Sequence, residues 1–171
     1  MTRSAYSLLA GILCYAFSGC TDGNNNNIDP VNGFTQNDLF IHTDYAIQKN
    51  WVGGTEIAFT DKYPLGSFSG NVHTVQFLLD TLDNKGSYTY LPADAATFDK
   101  TKNFDVALLY NNVTYQSGTE VDGTGEIYSK PTGGSLTFSQ GPEYQSFTYT
   151  LEFGKGKTIS GSFKGHVTVI E

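Results

Sequence analysis

Near its end the chain reads FTYTLEF, then GKG, then KTISGSFKGHVTV, and few folds accept that pattern. In the first segment Phe147, Tyr149, Leu151 and Phe153 alternate with Thr148, Thr150 and Glu152. In the second, Ile159, Gly161, Phe163, Gly165, Val167 and Val169 alternate with Thr158, Ser160, Ser162, Lys164, His166 and Thr168. A period of two sends one set to a core and the other to water, as in half-buried strands. The intervening loop sets the register. Three residues, Gly154-Lys155-Gly156, bring Leu151 opposite Ile159, Tyr149 opposite Gly161 and Phe147 opposite Phe163, so the two apolar sets coincide. A two-residue loop at Lys155-Gly156 brings Leu151 against Ser160 and mismatches the faces. The three-residue turn is therefore predicted, with Gly156 left-handed and the Tyr149 ring covering the bare backbone of Gly161.

The same alternation recurs upstream. Residues 39–47 place Leu39, Ile41, Tyr45 and Ile47 on one face, and residues 72–79 place Val75, Phe77 and Leu79 together. Shorter runs at 55–60, 87–91, 104–110, 113–116, 125–129 and 135–139 complete the set. Turn residues at 83–86, Asn111-Asn112, Asp122-Gly123 and 131–134 separate them. Only residues 93–99 suit a helical turn. Nineteen glycines, eleven tyrosines and twelve phenylalanines favour strands and turns over helices. The pattern predicts an all-β domain: an antiparallel β-sandwich of jelly-roll or Greek-key type, with a closed up-and-down β-barrel as the alternative.

The front of the chain is different. Arg3 and the α-amino group form a short positive region, and residues 5–17 an apolar stretch of export-signal length. Phe17-Ser18-Gly19-Cys20 then resembles a bacterial lipoprotein processing site, in which the cysteine is acylated and becomes the new N-terminus. The usual first residue of that site is Leu, and Phe17 stands in its place. Residues 21–27 are Thr, Asp, Gly and four asparagines, which form coil and bury nothing. The division is a signal peptide at 1–19, a lipidated Cys20 with a tether to residue 34, and one β-domain at 35–171. Each buried methylene of an acyl chain contributes about 0.8 kcal/mol, so a multiply acylated Cys20 holds the protein to a membrane.

Together with the closing pattern, in which Gly-Ser-Leu-Thr-Phe (134–138) precedes the two alternating segments, this front end resembles the small secreted lipoproteins of Bacteroidota. The resemblance implies an envelope location, lipid-anchored at the outer membrane, and an all-β fold. It implies no activity.

Motifs that carry chemistry are scarce. Loss of Arg3 with the signal takes the formal charge from −7 to −8, which argues against nucleic acid as a partner. Gly156-Lys157-Thr158 ends like a phosphate-binding loop, but Leu151 occupies the position of its first glycine and a strand follows. His42, His73 and His166 have no metal-ligand spacing and suit strand surfaces. Asp61, Asp83, Asp94, Asp99, Asp122 and Glu143 sit in turn-like stretches, as solvated charge does. No catalytic, metal or cofactor motif emerges. The candidates for ligand contact are aromatic: Trp51, the only tryptophan, in a turn-like stretch, and Tyr128 and Tyr144 flanking residues 131–142. The expected function is a lipid-anchored, non-catalytic envelope module that binds glycan or protein. The alternatives are a structural subunit joined by strand addition, or a small hydrolase or small-ligand barrel. Oligomeric state is not specified.

Overall fold

The computed structural model describes residues 31–63, 68–83 and 85–170. The signal stretch, Cys20 and the tether up to residue 30 lie outside the described residues, as does Asn84 of the 83–86 turn. In chain order the strands are β1 (Gly33–Gln36), β2 (Leu39–His42), β3 (Tyr45–Trp51), β4 (Gly54–Thr60), β5 (Gly70–Leu79), β6 (Ser87–Tyr90) and β7 (Asn103–Phe104). They continue as β8 (Val106–Gln116), β9 (Thr119–Glu120), β10 (Glu126–Tyr128), β11 (Pro131–Gln140), β12 (Gln145–Phe153), β13 (Lys157–Gly165) and β14 (Val167–Ile170). One sheet runs β2-β1-β13-β12-β11-β6-β7. The other runs β10-β8-β5-β4-β3-β14, with β9 paired to β8. Neither closes on itself, so the fold is a sandwich and not a barrel.

The inner faces meet in an aromatic-rich core. Phe59 of the second sheet stacks on Tyr149 of the first at 5.0 Å, and Phe138 stacks on Phe147 at 4.6 Å. Phe77 meets Phe104 edge-on at 5.3 Å. Such pairs add about 0.5–1.5 kcal/mol each beyond the area they bury.

The closing hairpin has the predicted register: Leu151 pairs with Ile159, Tyr149 with Gly161 and Phe147 with Phe163. Gly156 is left-handed at φ 72°, and Lys155 is too, at φ 64°. A Cβ placed on Gly161 would sit 2.5 Å from the Tyr149 ring, which covers it.

Several expectations are corrected. The sandwich is mixed: β14 runs parallel to β3, and β6 parallel to β7. No hairpin joins either pair, so nothing imposes the antiparallel sense. Residues 39–47 are not one strand, because the chain leaves the first sheet after His42 and enters the second at Tyr45. The same change of sheet at His166 divides residues 157–169 into β13 and β14. Residues 93–99 form turns closed by Ala95 N–H to Pro92 O and Phe98 N–H to Ala95 O, both 2.9 Å, without a helix. Two expected turns, Asn111-Asn112 and 131–134, lie inside β8 and β11. The folded domain also begins before residue 35. Phe34 is fully buried in the core. Asn32 donates to the Lys164 carbonyl at 3.3 Å and accepts from its N–H at 2.8 Å.

Candidate ligand-binding groove

Along β5, Val75, Phe77 and Leu79 point into the core, so Val72, Thr74 and Gln76 face outward. The outer face of a sandwich sheet is ordinarily polar. Here it carries apolar residues that are buried without belonging to the core cluster: Ile47, Ala58, Val72 and Val113. Ile47 lies beside Ala58, and Ala58 beside Gln76, across β3, β4 and β5. Ile47, Ala58 and Val72 floor a groove of about 310 Å³ on the outer face of the second sheet. Phe68, Tyr110 and Tyr115 line it with rings; Glu56, Thr60, Lys62, Thr74 and Gln76 line it with polar groups.

The two tyrosines share this face because of a bulge. Tyr110 and Tyr115 are five residues apart, an odd spacing that puts them on opposite faces of a regular strand. In β8 the pairing steps from Tyr110 opposite Thr74 to Val113 opposite Val72, so that Asn111 and Asn112 together oppose His73. Asn112 is left-handed, at φ 58°. The extra residue turns Val113 and Tyr115 to the outer face. The β8–β9 turn then builds a wall. Ser117 and Gly118 both have positive φ, 51° and 80°, as a tight hairpin turn requires. Gly118 N–H donates to Phe68 O at 2.9 Å, and Ser117 N–H to Ser69 Oγ at 2.9 Å. Phe68 thereby stacks on Tyr115, with centroids 5.4 Å apart and planes at 28°.

Burial pushes the phenols of Tyr110 and Tyr115 up from their ordinary value, and the Glu120 carboxylate adds to both. Glu56 adds further to Tyr110. Lys62, the cation of the groove, is paired with Asp61 at 3.5 Å. Thr74 donates to the Thr60 hydroxyl at 2.9 Å. The arrangement presents rings to a flat apolar surface and hydroxyl, amide and carboxylate groups to its rim. Among the described residues, no three of His, Cys, Asp and Glu are grouped to hold a metal ion.

The aromatic residues singled out from sequence are not brought together. Trp51 ends β3, about 43 % exposed, beside a shallow depression of about 170 Å³ with Asp80, Asn103 and Asp105. Its indole lies against Gly54, where a Cβ would come within 3.0 Å of it. Tyr128 packs on Phe153 at 5.4 Å, with the Lys157 ammonium 5.3 Å from its ring centre. Tyr144 is exposed beside His166 at the far end of β12, 5.1 Å between ring centres. The groove rings Tyr110 and Tyr115 escape sequence reading because Asn111-Asn112 reads as a turn, which splits β8 into two runs and leaves the face of Tyr115 unrelated to that of Tyr110. The available signals were Ser117-Gly118 as a hairpin turn and Tyr110 alternating with core-bound Ala107 and Leu109. His73 is also corrected: it is half-buried within a polar network and not on a strand surface.

No family model, curated protein or solved structure matches this chain.

Proposed function

We propose that the chain is a lipid-anchored, non-catalytic module of the cell envelope that binds a neutral glycan in the groove on the second sheet. The observation that carries this reading is the apolar, ring-lined floor on a sheet face that water should own. Sugar rings offer C–H faces for Phe68, Tyr110 and Tyr115 to cover and hydroxyls for Gln76, Thr74 and Glu56 to bond. Charge narrows the ligand. Glu56 and Glu120 act on the tyrosines, and Asp61 offsets the Lys62 ammonium, so the groove offers an anionic saccharide little net attraction. Attachment rests on the Phe17-Ser18-Gly19-Cys20 sequence and the asparagine-rich stretch that follows it.

The test is a screen of neutral and acidic oligosaccharides against the full chain, followed by Tyr110→Ala and Tyr115→Ala. Each substitution is expected to weaken binding by about tenfold, near 1.4 kcal/mol. Loss of binding in Trp51→Ala with both tyrosine variants unaffected would move the site to the Trp51 depression. A second reading, a structural subunit joined by strand addition, has one observation in its favour. The edge strands β2 and β14 expose Leu39 and Val169, at 65 % and 57 %, beside backbone that no other described strand pairs. Sedimentation that rises with concentration would favour it over glycan binding.

A further inference from the structure

Taking the groove as a neutral-glycan site, we infer that the site continues across the sheet to Tyr45 and Tyr63 and takes a linear chain of neutral sugars, not a single one. The register places the residues. Tyr110 pairs with Thr74, Thr74 with Thr60, and Thr60 with Tyr45, so these four form one row over β8, β5, β4 and β3. All four stand on the outer face, because Leu109, Val75, Phe59 and Ala46 beside them in the chain belong to the core. Three strand spacings of about 4.8 Å put the ends of the row about 14 Å apart. Each end is a phenol ring. Between the rings two short threonines keep the row low, and Thr74 donates to the Thr60 hydroxyl at 2.9 Å.

The far end is not one stray ring. Tyr45 meets Tyr63 edge-on, with centroids 5.5 Å apart and planes at 65°, and the two are 40 % and 47 % exposed. An isolated exposed ring is ordinary on a protein surface. A pair of them, closing a row that begins in a ring-lined groove, makes a second platform. One sugar covers one ring. A ligand that touches both Tyr110 and Tyr45 needs further sugars, linked across the threonines. Thr74 gives its proton to Thr60, and its lone pairs stay open to a sugar hydroxyl. Charge and backbone chemistry choose the occupant. The row has no charged side chain, and Lys62, which follows Thr60 in the chain, is offset by Asp61 at 3.5 Å. A peptide laid on the row brings backbone N–H and C=O groups that two threonines cannot satisfy. A sugar chain keeps its hydroxyls at the wet rim while its ring faces cover the tyrosines.

The experiment titrates the full chain with neutral linear glucan, mannan and xylan oligomers, each from the single sugar to the hexamer. Affinity is expected to rise with length by about fivefold, the stacking of one more ring. The Tyr45 and Tyr63 ring signals in NMR are expected to move with the long oligomers and stay still with the single sugar. In Tyr45→Ala the ratio of long to short affinity is expected to fall to about one. Tyr45→Phe, which keeps the ring, is expected to keep the ratio. A wild-type affinity that does not rise beyond the single sugar, or tyrosine signals that ignore the hexamer, overturns the second platform and leaves the groove as a site for one sugar. Those two readings need no variant to fold. A Tyr45→Ala loss that is equal for long and short oligomers makes Tyr45 structural and overturns the platform too. Movement of both tyrosine signals with protein concentration, without saccharide, gives this face to a second copy of the chain and overturns it likewise. No binding of any oligomer rejects the groove as a neutral-glycan site, and the longer track with it.

Discussion

Tyr149 is placed for its ring, and its hydroxyl is a burden. The ring stacks on Phe59, covers Gly161 and is 2 % exposed, so it unites the two sheets at the centre of the core. Its hydroxyl reaches no hydrogen-bond partner among the described residues, nor does the buried hydroxyl of Thr43 beside it. Burial raises the phenol far above its ordinary value, and the nearby Thr43 hydroxyl acts in the opposite direction without cancelling it. An unpaired buried hydroxyl costs about 1–3 kcal/mol, and a phenyl of the same shape avoids the cost. Tyr149→Phe should therefore be neutral or more stable by about 1 kcal/mol in urea unfolding. The sign with pH follows from the raised value. Below pH 10.0, the ordinary tyrosine value, both folded and unfolded chains hold the proton and the shift has no effect. Above it the unfolded chain ionises first and wild-type stability falls. The advantage of Tyr149→Phe should then widen, and a difference that stays flat across that range would contradict the assignment.

Elements show where period-two reading works and where it stops. The β12–β13 hairpin was legible because one register alone matches both apolar sets across a three-residue loop. The breaks at residues 43–44 and at His166 were not, because alternation carries no mark of the sheet a strand joins. A run that changes sheets keeps alternating as written, while its inward face becomes a different face. The bulge at Asn111-Asn112 failed in the same way: two asparagines side by side read as a turn, yet the flanking pairing holds them inside one strand. Glycine substitutions separate these cases. Gly156 is left-handed, and a Cβ there would meet open space out to 4 Å, so Gly156→Ala meets conformational strain alone, about 1 kcal/mol. Gly125 is left-handed at φ 62° and also pressed on the bulge, where a Cβ would lie 2.5 Å from the Asn111 and Asn112 carbonyl oxygens. Gly125→Ala should cost clearly more, about 2–4 kcal/mol, and should shift the Tyr115 ring signals, which Gly156→Ala should leave in place. Equal losses in chemical denaturation, or no change at Tyr115, would mean that the bulge tolerates displacement.

At the scale of the molecule, a sandwich gives each sheet two faces, and alternation in sequence reports only which residues avoid water. It was silent on the outer face of the second sheet, where Ile47, Ala58 and Val72 are buried without joining the core. That patch takes one residue from each of three strands, so no single stretch of sequence contains it. The core, by contrast, draws several residues from each long strand and was legible. The N-terminal attachment we propose rests on a pattern that is wholly local: an apolar run, two small residues and Cys20. The two parts are separable on this view. Among the described residues the core starts with Phe34, and Asn32 is tied to Lys164 of β13, so the described part of the chain joins the packed domain from residue 32 onward. Cys20→Ser should then move the full chain from the membrane fraction to the soluble fraction and abolish palmitate labelling. Its unfolding free energy should stay within the roughly ±0.5 kcal/mol expected of a change outside the packed domain. A Cys20→Ser chain that still sediments with membranes would show that the groove, an exposed edge strand or another segment makes the attachment, and the acylated cysteine would have to be given up as the anchor.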